Sequence, residues 1–81
     1  MPRKLYRVRG QTKAKGKVEF IHLDLEFDGQ RAFVVWDSIS FGNYLFKARM
    51  EIDPKLLSAD SGRQCDFVYK GELVLPEPQN N

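Results

Sequence analysis

The clearest pattern in this sequence is a strict alternation of side chains that runs from Val18 to Phe27. One set is apolar and comprises Ile21, Leu23, Leu25 and Phe27. The alternate set is mostly polar and comprises Phe20, His22, Asp24 and Glu26. A period of two is typical of a strand, because successive side chains point to opposite faces of a sheet. The segment is therefore predicted to be a strand with its apolar face in the core.

A hairpin turn is predicted directly after this strand. The dipeptide Asp28-Gly29 suits the positive φ values of a two-residue type I′ turn. Such a turn pairs Phe27 with Gln30, which places Leu25 opposite Ala32 and brings the apolar rows of the two strands together. The turn residues and the alternation of the flanking segments each predict the same hairpin, and this agreement favours it.

Three further strands are predicted, at Leu5–Arg9, Tyr44–Ile52 and Cys65–Leu75. In the second of these, the inward positions are Tyr44, Phe46, Ala48, Met50 and Ile52. A helix capped by Asn43 is the alternative there, but alternation accounts for more of the apolar residues. Gly71 interrupts the last strand and predicts a bulge or sharp bend.

The connections between strands follow from turn and breaker residues. Ser38–Asn43 contains serine, glycine and asparagine and is predicted to be a loop. Gln11–Lys17 is predicted to be an exposed basic loop. Asp53-Pro54 suits a helix start, with aspartate as the N-cap and proline at the first helical position.

The predicted fold is all-β: a five-stranded antiparallel meander curled into a small open barrel, with one short helical turn near Pro54–Ala59. Residues 1–75 are expected to form a single β domain, whose first strand and loop (1–17) are basic. Residues 76–81 are expected to be a flexible tail, because two prolines prevent further strand pairing.

Charge is distributed unevenly along the chain. Residues 1–18 carry seven cations and no acid, whereas the other 63 residues carry six cations and eleven acids, which leaves a net charge of +2. A segment of one sign concentrates field and attracts phosphates. The nucleic-acid candidates are Arg7, Arg9, Lys13, Lys15 and Lys17, with Lys47 and Arg49 added if their strand lies beside the first. The competing interpretation is a solvated edge that lysines protect from aggregation.

The segment Arg31–Trp36 is apolar on both faces, whereas a half-exposed strand is polar on one. Ala32, Val34 and Trp36 share one face, and the other face forms a protein-interface candidate with Phe20, His22, Phe33 and Val35. Either barrel closure buries this second face, or another polypeptide covers it, most simply in a two-fold dimer.

Several chemistries lack the residues that they need. Zinc requires three or four ligands, and the chain has one histidine and one cysteine. The acidic alternation that ends at Asp28 resembles the start of a calcium loop, but Val35 stands where the bidentate glutamate is required. His22 has no evident nucleophile partner, and no glycine-rich phosphate loop is present. No metal, cofactor or catalytic residue is predicted.

The sequence thus favours a non-enzymatic interaction module that binds a protein and self-associates, with nucleic-acid binding by the basic N-terminal hairpin as the alternative. An enzyme, such as a small hydrolase, is the least favoured class. No apolar run approaches the roughly 18 residues that cross a bilayer, so no membrane contact is expected. A single cysteine, Cys65, cannot form an internal disulfide, which favours the cytoplasm.

Overall fold

The structure, a computed structural model, describes residues 4–40, 44–62 and 64–75. These residues are nearly all in strands, so the all-β prediction is confirmed. The strands are β1 (Leu5–Ala14), β2 (Lys17–Phe27), β3 (Ala32–Ser40), β4 (Tyr44–Ile52), β5 (Leu57–Ala59) and β6 (Phe67–Glu72). The predicted tail at 76–81 and residues 41–43 of the predicted loop Ser38–Asn43 lie outside the described residues, whereas residues 38–40 of that predicted loop belong to β3.

The strands form one sheet in the order β4-β3-β2-β1-β6-β5. Two details of the predicted meander are wrong. The sheet has six strands rather than five, because three residues of the predicted helical segment form β5, which is too short to show an alternation. In addition, β6 pairs with β1 in parallel, so the chain crosses from one edge of the sheet to the other after β4.

That crossing requires the sheet to curl. Only four residues lie between Ile52, at the end of β4, and Leu57, at the start of β5, and the five steps from Ile52 to Leu57 span at most about 17 Å. Six strands laid flat would place the two edges about 24 Å apart. The connection is a 3₁₀ turn, Pro54–Leu56, and the side chain of Asp53 accepts a hydrogen bond from the Lys55 N–H (3.0 Å), as predicted for an N-cap.

The β2–β3 turn differs from the predicted two-residue turn. The last pair is Phe27 with Ala32, so the loop has four residues. Asp28 Oδ1 accepts hydrogen bonds from the backbone N–H groups of Gln30 and Arg31, both at 2.8 Å, and this side chain therefore widens the turn. The register is shifted by two residues from the prediction, and a shift of two leaves every side chain on its predicted face.

The predicted basic loop Gln11–Lys17 is also wrong, because β1 and β2 continue through it to the pair Ala14–Lys17. Lys15 and Gly16 form the two-residue turn, with φ values of 53° and 79°. Both values are left-handed, as a type I′ hairpin turn requires.

The core lies on one face of the curled sheet. Its buried members are Val8, Leu25, Ala32, Val34, Ile52, Tyr69 and Leu73. The Phe67 ring packs edge-on against the rings of Tyr6 (5.2 Å between centroids) and Phe27 (5.7 Å). Cys65 is buried as well.

Two glycines lie where the β6 segment packs closely on its neighbours. Gly71 lies where β6 has two more residues than the facing stretch of β1, an irregularity that agrees with the predicted bulge or bend. A Cβ there would lie 2.8 Å from the Tyr69 ring and 2.9 Å from Leu56 Cδ1, so glycine leaves room for these two side chains. At Gly10, a Cβ would overlap the Leu73 side chain, so close packing of this segment on β1 favours glycine at position 10.

The two long hairpins separate beyond the core. Pairing between β2 and β3 ends at Asp24–Val35, but β1 and β2 remain paired to the turn at Lys15, and β3 and β4 remain paired to Ser40–Tyr44. We call β1–β2 the first hairpin and β3–β4 the second hairpin. Across the described ranges, no helix has the length and apolar character needed to span a bilayer.

Candidate interaction surfaces

Among the described residues, eight large hydrophobic side chains are exposed, as many as the hydrophobic residues that are buried. The exposed set is Leu5, Val18, Phe20, Tyr44, Leu45, Phe46, Leu56 and Val74. Three of these are consecutive in β4, namely Tyr44 (70% exposed), Leu45 (68%) and Phe46 (43%). We call these three residues the apolar edge, because β4 is the outermost strand at its end of the sheet. Clusters of this kind mark contact surfaces.

The apolar edge corrects the prediction that Tyr44 and Phe46 point into the core. Their alternation is as predicted, since they share a face with the buried Ile52. They lie on the part of the second hairpin that extends past the end of the β2–β3 pairing, however, so the core does not reach them. The exposure of Tyr44 and Phe46 therefore depends on where β2 and β3 separate and not on the alternation within β4.

A second candidate surface is a concavity of about 590 Å³ on the face opposite the core, where β6, β1 and β2 lie side by side. We call it the outer groove; its side chains include Arg9, Gln11, Phe20, His22, Val68 and Lys70. Arg9 is paired with His22, and Gln11 with Phe20, across the first hairpin. Phe20 is 65% exposed. The groove thus combines cations with an accessible aromatic ring.

Arg9 is held by a carboxylate beneath it. Its guanidinium lies 3.5 Å from Asp60 Oδ1, and the Asp60 side chain is only 2% exposed. Hydrogen bonds from the backbone N–H groups of Gly62 (2.8 Å) and Cys65 (3.0 Å), with Arg9 nearby, hold the pKa of Asp60 below its ordinary value. This ionised, withdrawn carboxylate positions Arg9 at the wall of the groove.

The third candidate surface is a concavity of about 610 Å³ over the β2–β3–β4 end of the same face, which we call the charged concavity because acids and bases line it in equal number. The guanidinium carbons of Arg31 and Arg49 lie 5.0 and 4.1 Å from the centre of the Phe33 ring. Arg31 contacts Glu51 (2.8 Å), and Arg49 contacts Glu26 (3.2 Å). The hydrogen bond from Arg31 lowers the pKa of Glu51.

The predicted protein-interface residues do not form one patch. Phe20 and His22 belong to the outer groove, whereas Phe33 lies under two arginines in the charged concavity. Val35 is half-buried and pairs with Asp24. The two-residue difference in register and the early end of the β2–β3 pairing account for this separation.

The predicted nucleic-acid-binding residues do not form one surface either. Arg7, Arg9 and Lys13 share the outer face of β1, Lys15 is in the turn, and Lys17 lies on the opposite face. Lys47 and Arg49 are on β4, which is separated from β1 by two strands. Lys47 contacts Asp37 (2.6 Å) and Arg49 contacts Glu26. The condition for adding these two residues to the basic surface is therefore not met.

Residues considered for catalysis or metal binding are dispersed. His22 lines the outer groove, while Glu26 lines the charged concavity. Among the described residues, no three histidine, cysteine or carboxylate side chains are grouped as metal ligands would be. The surfaces thus present cations, aromatic rings and free strand edges.

Sequence reasoning missed the apolar edge and the role of Lys70 in the outer groove. Tyr44-Leu45-Phe46 is apolar on both faces, which is the same signal that drew attention to residues 31–36. Lys70 gave no local signal, because it reaches the groove only through the parallel β1–β6 pairing.

The chain matches no protein-family model, no curated protein and no solved structure.

Proposed function

We propose that this chain is a non-enzymatic protein-interaction module whose partner is a second copy of itself, bound through the free edge of β4. The apolar edge carries the proposal: three consecutive large hydrophobic residues are exposed on an outermost strand. Exposed apolar clusters and unpaired strand edges each favour association.

The length of β4 supports its choice over the other edge. β4 has nine residues and one neighbouring strand, whereas β5, at the opposite edge, has three residues. An edge strand presents unpaired N–H and C=O groups that another strand can bind. A three-residue edge offers few of these groups, so β4 is the better template for strand addition.

Charge within β4 favours a second copy and selects a register. Two β4 strands related by a two-fold axis run antiparallel, and an axis at Arg49 places Lys47 of each copy opposite Glu51 of the other. The same register places Phe46 opposite Ile52 and sets Arg49 opposite its own copy, which is one like-charge contact against two Lys47–Glu51 pairs. An axis at Ala48 would instead give two like-charge contacts, with Lys47 of each copy opposite Arg49 of the other, and no opposite-charge pair between these residues.

Sedimentation velocity over a wide concentration range tests the proposal. We expect a monomer–dimer equilibrium whose dissociation constant rises at least about tenfold in Phe46→Lys, because a symmetric interface loses each contact twice. Val74→Lys is the control, since Val74 is also an exposed hydrophobic residue (67%, against 43% for Phe46) but lies outside β4. A chain that remains monomeric at the highest concentration, or equal weakening by both variants, would refute the proposal.

A charge exchange tests the register. Lys47→Glu is expected to weaken the dimer, and Lys47→Glu combined with Glu51→Lys is expected to restore it, because the Lys47–Glu51 pairs are formed again with reversed sign. Both changes also remove contacts within the chain, Lys47 with Asp37 and Glu51 with Arg31, so the fold of each variant is verified by circular dichroism. If the dimer forms but the double variant is weaker than either single one, this register is wrong.

A further inference from the structure

We infer that the outer groove is a second binding site, for single-stranded nucleic acid, which is separate from the β4 edge. The inference stands on the juxtaposition of exposed cations, an exposed aromatic ring and a concavity on three adjacent strands. Proteins that bind single strands without sequence preference combine a positive groove with rings on which bases stack.

The cations of the groove lie in a line. Arg7, Arg9 and Lys13 share the outer face of β1, and residues six apart on a strand are separated by about 20 Å. Lys70 lies on the other side of the groove, on β6. This arrangement places positive charge along both sides of a track that can follow several phosphates.

Phe20 supplies the stacking surface. It pairs with Gln11 across the first hairpin, two positions from the Arg9–His22 pair. Its ring is mostly exposed and is flanked by the side chains of these residues. A base stacked on Phe20 leaves its phosphates within reach of the cations of β1, and the amide of Gln11 can bond to the sugar or the base edge.

The neighbouring acids offset part of this charge. Asp60 is ionised and withdrawn from solvent, and its contact with Arg9 both orients that guanidinium and offsets its charge. Three more acids lie nearby: Glu72, which pairs with Gln11, Asp24, which pairs with Arg7, and Asp66, whose Oδ2 accepts a hydrogen bond from the Arg7 backbone N–H (2.8 Å). Among the described residues, Lys13 and Lys70 make no ion pair, so these two lysines supply the main attraction for phosphates. Removing the charge of Glu72 should therefore strengthen binding.

Fluorescence anisotropy with labelled oligothymidine and oligouridine tests the site. We expect binding that weakens steeply with salt, and Phe20→Ala should reduce affinity about fivefold or more. Lys70→Gln should reduce the salt slope by about one, whereas Glu72→Gln should raise affinity. Lys55→Gln is the matched control, because Lys55 is exposed but lies on the 3₁₀ turn away from the groove.

Each alternative occupant gives a different result. No binding at low salt, or equal loss in Phe20→Ala and Lys55→Gln, overturns the inference. Equal affinity for duplex DNA or polyglutamate would show attraction to polyanions without stacking and would also overturn it. Circular dichroism of each variant verifies the fold. The β4 variants described above leave the groove intact, so failure of the dimer and failure of the groove are measured independently.

Discussion

The end of the first hairpin carries lysines, whereas the end of the second hairpin carries aromatic and aliphatic side chains. Both are paired antiparallel along nearly their whole length. β1 is supported on its far side by β6, with hydrogen bonds from Leu73 N to Gln11 O (2.7 Å) and from Asp66 N to Arg7 O (2.9 Å). β4 has no such neighbour in the described chain.

Two antiparallel hairpins of the same kind thus present different surfaces. The first hairpin is backed by another strand, so its outer face is available for a ligand while its edge is largely occupied. The second hairpin leaves its edge available, and its hydrophobic residues are concentrated there. The proposed partners of the two hairpins therefore differ: single-stranded nucleic acid for the first and a second copy of the chain for the second.

The largest effect is expected where the two hairpins join. Leu25 is fully buried and pairs with Val34 between them. Leu25→Ala should lower the free energy of unfolding by about 2 to 5 kcal/mol, through lost burial and a residual cavity. Urea denaturation measures this, with the exposed Leu5→Ala as a control. Separate unfolding transitions for the two hairpins would contradict a shared core.

A smaller effect is expected where β6 supports the first hairpin. Gly10→Ala forces a Cβ into the Leu73 side chain and should cost about 1 to 3 kcal/mol. In the double variant Gly10→Ala, Leu73→Ala, the cost should be less than the sum of the single costs, because the space vacated by leucine accommodates the new methyl group. Simple additivity in urea denaturation would argue against this contact.

The smallest effect concerns Asp60, which also supports the first hairpin. Its folded-state pKa is lowered, chiefly by the hydrogen bond from Gly62, so its contribution to stability is complete above the ordinary aspartate pKa of about 3.9 and is lost as the pH falls through the lower folded value. Asp60→Asn should therefore unfold at lower urea than the wild type at pH 6, and the difference should narrow on acidification toward pH 3. A difference that is independent of pH would contradict this role.

The faces of the strands could be predicted from the sequence, but their pairing could not. Alternation placed Leu25, Val34 and Ile52 correctly, since side-chain direction depends only on the period of two. The β2–β3 register depends on Asp28, whose side chain bonds to two backbone N–H groups and favours a four-residue loop over the expected two-residue turn.

The same distinction between local and long-range properties applies to the candidate surfaces. Phe20 was identified as outward-facing from its position in β2, which is a local property. Lys70 and the exposure of Phe46 follow from long-range events, namely the parallel β1–β6 pairing and the early end of the β2–β3 pairing. No periodicity within a strand reports on either event, because both depend on which distant segments come together.

The four-residue loop between β2 and β3 has a consequence for how the chain can vary. A slip of β3 along β2 by two residues keeps every apolar side chain in phase with the core, whereas a slip by one would turn Ala32 and Val34 toward water. An insertion or deletion in this loop therefore preserves the core only if the loop absorbs the change in length or if β3 slides by an even number of residues.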